Sequence, residues 1–100
     1  MKQYEVEVME KYSHGQHGKQ RFMGWILSHT SKDGAIDFAK DIMSGMTWGD
    51  FKKESVRPLS IFMHMSLYGF KEDDPISIEH IEKHFSFRAT LMKKGIDYEE

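Results

Sequence analysis

The six histidines are the residues of this chain best suited to do chemistry. His14 and His17 stand three apart in a glycine-containing segment. His80 and His84 stand four apart in the run HIEKH, which puts both on one face of a helix. Imidazoles in such pairs are a donor type that first-row metals take. The surroundings do not complete a site. In the HExxH metalloprotease motif the glutamate directly follows the first histidine, whereas Glu82 follows His80 by two positions and points elsewhere on the helix. No acidic residue completes a triad, so neither a metal nor a cofactor is expected. A histidine-based metal site would have to use His80 and His84. The chain has no cysteine, which excludes disulfides, thiolate ligands and cysteine nucleophiles.

Other chemical signatures are thin. No phosphate-cradling glycine loop, GxSxG elbow or zinc motif is present. Lys11, Tyr12, His14, His17, Lys19, Arg21 and Phe22 interleave basic and aromatic residues, a pattern in which charges follow phosphates and rings stack on bases. Only three of these are permanently cationic, and Glu5, Glu7 and Glu10 lie close in sequence. The stretch is read first as a solvated hairpin tip and, as an alternative, as a nucleic-acid-binding surface. Asp33, Asp37 and Asp41 recur every four residues and read as the solvated face of a helix.

The elements that must carry these residues read in the order β-β-α-β-α. Tyr4, Val6 and Val8 alternate with Glu5, Glu7 and Met9, the pattern of a half-buried strand over 3–12. Glycines and small polar residues over 13–19 make a loop, and QRFMGWILSH over 20–29 a second strand paired in a hairpin. Thr30 is placed to cap a helix over about 31–44, with Asp33 reaching back and Gly45 taking a left-handed ending. Residues 46–54 read as a connector with room for a short helical turn. Over 56–68, Leu59, Ile61, Met63, Met65 and Leu67 alternate with Ser60, Phe62, His64, Ser66 and Tyr68, which predicts a third strand over a helix starting at Pro58. A last helix is expected over about 76–94, capped by Asp74, with Lys93 and Lys94 in its final turn and Gly95 ending it.

These elements predict an α+β two-layer sandwich: a three-stranded mixed sheet, in the possible order 2-1-3, with both helices on one face. The domain is expected to span 1–96, followed by a frayed acidic tail over 97–100. With 39% hydrophobic and 13% aromatic residues the chain can build one core, and its net charge of −2 gives no global attraction for nucleic acid or anionic membranes. No stretch reaches the ~18 apolar residues of a membrane span, and the N-terminus lacks the apolar run of a signal peptide. A cytoplasmic protein with no membrane partner is expected.

Two elements carry more apolar surface than this architecture buries. Helices on one sheet face would leave Met23, Trp25 and Leu27 to water on the other. The last helix would carry a second stripe of His80, His84, Phe87 and Leu91. The function expected on these grounds is a small non-enzymatic interaction domain, a regulator or inhibitor that binds a protein partner or a second copy of itself. Trp25 would be its anchor. Nucleic-acid binding through the hairpin is the alternative, and a small oligomeric enzyme or a histidine-based metal-binding protein comes third.

Overall fold

Alternation along the first segment forms the centre of the molecule. In the computed structural model, which describes residues 1–11 and 20–93, strand β1 (Lys2–Glu10) pairs antiparallel with β2 (Arg21–His29) on one side. On its other side it pairs antiparallel with β3 (Phe85–Leu91). The sheet order is β2-β1-β3 and every pairing is antiparallel, so the expected mixed sheet is corrected. Between β2 and β3 the chain forms α1 (Lys32–Ser44), α2 (Trp48–Glu54), α3 (Pro58–Tyr68) and α4 (Ile78–His84). Among the described residues this is an α+β fold with four helices rather than two.

The sequence explains each departure. The segment expected as the third strand is helix α3. Pro58 supplies a fixed φ in its first turn, and Gly69 closes it in the left-handed conformation at φ 76°. The helix buries Ile61, His64 and Met65, at helical spacing. The expected last helix stops at His84, where Phe85 turns extended and begins β3. Pairing of β3 with β1 gives the backbone of the central strand partners on both sides, from Tyr4↔Leu91 to Glu10↔Phe85. Residues 46–54 form a helix because Thr47 and Asp50 cap it reciprocally. Ser31, not Thr30, caps α1, its hydroxyl accepting from Gly34 N at 3.0 Å, and Gly45 ends α1 at φ −90°, not left-handed. Ser77, not Asp74, caps α4. The expected helix end at Lys94 and Gly95 and the tail over 97–100 lie outside the described residues.

The sheet is covered on the face that carries Tyr4, Val6 and Val8. One core cluster gathers Val8, Phe22, Met43, Trp48, Phe51 and Phe85, and a second gathers Tyr4, Val6, Leu27, Ala35, Ala39 and Ala89. Register places Met23, Trp25 and Leu27 opposite Val8, Val6 and Tyr4, hence on this covered face. Met23 and Leu27 are buried and Trp25 is half-buried between the two clusters. The exposed sheet patch expected from these three residues is therefore corrected. Gly24, Ile26 and Ser28 face water instead. A register shift between Val8 and Met9 lets Phe22 also turn inward.

Candidate functional site

A row of imidazoles closes the end of β1. Helix α3 lies over this end and turns His64 inward until it is only 2% exposed. Its Nδ1 stands 3.0 Å from Glu10 Oε2, and its Nε2 stands 2.8 Å from His80 Nε2. Both side chains of the Glu10–His64 pair are buried. The His80 and His84 rings lie 4.2 Å apart, tilted by 31°, and the Tyr68 ring caps the row at 4.6 Å from both His64 and His84. Trp48 floors it, stacked on His64 at 5.4 Å and on Phe70 at 4.9 Å.

Local structure fixes each member. Ser77 accepts from His80 N at 3.1 Å and starts α4, which puts His80 and His84 on successive turns of one face. Lys11 N donates to the His84 carbonyl at 2.9 Å, and Lys11 Nζ donates to the Glu82 carbonyl at 2.9 Å. These bonds tie the end of α4 to the end of β1. Burial, with the neighbouring His84, His64 and Lys83 acting in the same sense, lowers the His80 pKa from 6.5 to about 4. His84 is lowered too, by burial and then by Lys83 and Lys11, with Glu10 opposing. Rings held neutral in this way can accept and donate hydrogen bonds at once. Among the described residues no group of three His, Cys, Asp or Glu side chains is arranged to hold a metal ion.

The opposite face of α3 is also apolar. Leu59, Phe62, Met63 and Leu67 share one arc with Ser66, and Leu59 and Met63 are 76% and 67% exposed. Val56 before the helix extends the exposed surface. No residue of Pro58–Tyr68 carries a permanent charge.

The residues singled out from sequence are thus dispersed. His80 and His84 meet as expected, but Phe87 and Leu91 lie on β3, not on the same helix; Phe87 packs against the core and Leu91 is 37% exposed. Tyr12, His14, His17 and Lys19 of the hairpin lie outside the described residues. Of the rest, Phe22 is buried against Phe51 and Phe85 and cannot stack on a base. Arg21 pairs with Glu7 and Glu5 on the open sheet face, and Lys11 is held by α4. Asp33, Asp37 and Asp41 are all exposed. Sequence reasoning missed His64, Glu10 and the outer face of α3. The signal that could have found them is the pair Pro58 and Gly69, which brackets a helix of two apolar faces. Among the described residues no helix is long and apolar enough to cross a membrane. Compared with protein-family models, curated proteins and solved structures, the chain matches none.

Proposed function

We propose that this chain is a non-enzymatic interaction module that pairs with a second copy of itself through the outer face of α3. The observation that carries the reading is the two-sided helix: one apolar arc is spent on the core, and the other is left in water. Isolated exposed apolar residues are ordinary, but a contiguous patch on a helix is an interaction surface. Leu59, Phe62, Met63 and Leu67, with Val56 before them, are each more than half exposed, a contiguous apolar surface of the kind a partner covers. The helix face itself carries no permanent charge; Lys52, whose Nζ lies 5.7 Å over the Phe62 ring, and Arg57, just before Pro58, border it. The face is suited to a two-fold contact, in which the same patch meets itself. The expected role of Trp25 as anchor passes to Phe62 and Met63, since Trp25 lies between the core clusters.

The test is solution mass by light scattering over a hundredfold range of concentration. Wild type should move from monomer to dimer, and Met63→Lys should stay monomeric with an unchanged circular dichroism spectrum, because like charges would face each other across the two-fold axis. A wild type that remains monomeric throughout, or a Met63→Lys variant that dimerises equally well, refutes the reading.

A further inference from the structure

The row at the end of β1, buried at Glu10 and His64 and half-buried at His80 and His84, joins three separate elements through nitrogen and oxygen atoms that change partners with protonation. Glu10 comes from β1, His64 from α3, and His80 and His84 from α4. At 2.8 Å, the two Nε2 atoms of His64 and His80 have room for one proton between them. With Glu10 accepting from His64 Nδ1–H, the Nε2–H of His80 donates to the bare Nε2 of His64. One further proton can be taken up by exchanging roles: His64 becomes the donor and His80 accepts at Nε2 while holding its proton on Nδ1. The next proton cannot be housed. It would set two N–H groups against each other and put two cations side by side, with the His84 ring 4.2 Å behind.

We infer that the Glu10–His64–His80–His84 row is a proton-operated latch, which holds α3 and α4 to the end of the sheet at neutral pH and releases them on acidification. The inference stands on this geometry and does not depend on self-pairing through the outer face of α3. Among the described residues, the charged groups facing the row from the packed elements point the same way or are too few to reverse it. Lys11 at the end of β1 and Lys83 on α4 oppose added positive charge; Glu10 favours it, and one carboxylate balances one proton. Tyr68 from α3 meets the row with its ring. Glu79 and Glu82 lie on α4, Glu82 turned toward Lys40 of α1.

The sign follows from linkage. His80 titrates near 4 in the fold and near 6.5 when the chain is open, so the open form binds more protons between these values. The contribution to stability is complete above about pH 6.5, falls as the pH drops, and is gone once the pH has passed the folded value. His84, also lowered, adds in the same direction.

The test uses the Trp25→Phe background, in which Trp48 is the only tryptophan and reports directly on the ring stacked against it. Urea midpoints are measured by Trp48 fluorescence from pH 7.5 to pH 4.5, with amide hydrogen exchange followed on α3 and α4. Wild type should lose stability steeply below pH 6.5, with exchange rising first in α4 and the adjoining end of α3. In His80→Gln, whose amide can still donate to His64 but does not titrate, the slope should shrink by about one proton taken up on opening. Identical slopes for the two proteins overturn the latch and assign the acid sensitivity to ordinary carboxylates. If His80→Gln does not fold at neutral pH, His84→Gln carries the same test: a shallower slope than wild type is expected, and an unchanged slope overturns the inference.

Discussion

Replacing Trp48 by phenylalanine is expected to leave stability nearly unchanged, because a ring stays in the stack while one unpartnered nitrogen is removed. Trp48 is fully buried and contacts Phe51, His64, Phe70, His80 and Phe85. Its indole Nε1–H has no hydrogen-bond partner among the described residues. A buried donor left without a partner costs about 1–3 kcal/mol. Trp48→Ala keeps nothing of the stack and should lose about 3–5 kcal/mol. That is a large share of the roughly 5–15 kcal/mol by which a domain of this size is stable. Trp48→Phe keeps a ring in the stack and deletes the orphan donor. The smaller ring leaves a void on the order of 40 Å³, which costs about 1 kcal/mol at ~24 cal/mol per Å³. The lost apolar atoms add ~1 kcal/mol. Relief of the donor offsets these, so the net change should lie within about 1 kcal/mol of zero. Urea unfolding followed by far-ultraviolet circular dichroism measures both variants without relying on the tryptophan that is removed. If Trp48→Phe loses more than about 2.5 kcal/mol with an unchanged m-value, the indole nitrogen is bonded in solution and the reasoning fails.

Two further expectations concern single positions. Gly69 holds φ 76° at the end of α3, and a Cβ there would touch nothing within 4 Å, so Gly69→Ala should lose about 1 kcal/mol from backbone strain alone; a neutral result in chemical denaturation would show that the end of α3 relaxes. On the open sheet face, burial raises the Glu7 pKa but the Arg88 and Arg21 guanidiniums outweigh it and hold the carboxyl below its usual 4.5. Its stabilising contribution is therefore present above that value and lost as the pH falls through the folded one. Because the arginines are exposed, Glu7→Gln should cost under about 1 kcal/mol at low salt, and the difference from wild type should shrink in 1 M salt; a salt-independent loss would refute the ion-pair account.

The parts of the fold that could be read in the sequence are those where one periodicity rules. Tyr4, Val6 and Val8 are buried on one side of β1 and Glu5 and Glu7 are not, so alternation identified both the strand and its inner face. Ala35, Ala39 and Met43 did the same for α1. The reading failed where a segment is apolar under both periodicities. Phe85, Phe87, Ala89 and Leu91 fit a strand, while Ile78, Ile81, Phe85 and Met92 fit a helical stripe. The conflict was settled by β1, whose second edge needed a partner. No local pattern carries that requirement. The candidate site divides in the same way. The spacing of His80 and His84 announced their shared face, but the row they complete exists only because α3 brings His64 between Glu10 and His80. Residues 54 and 16 positions apart in the chain meet there.

Helix α3 joins the misreading to the proposed function. Its segment looks like a strand because odd-numbered Leu59, Ile61, Met63, Met65 and Leu67 are all apolar. In the helix these five do not share a face: Ile61 and Met65 go to the core, while Leu59, Met63 and Leu67 go to water. A helix that only had to cover the sheet would carry polar residues at the second set of positions. A strand would have had use for all five on one side. The same run of residues therefore defeats a periodicity test and leaves a surplus apolar face, and both follow from having two surfaces to cover. His64 lies between Ile61 and Met65 on the inner side, so the helix that offers Met63 outward is held by the imidazole row behind it. If the latch and the outer face both act as argued, acid that releases α3 must also dismantle the face that pairs. Dimer dissociation should then follow the same pH profile as the opening of α3, and the two profiles should move together in His80→Gln.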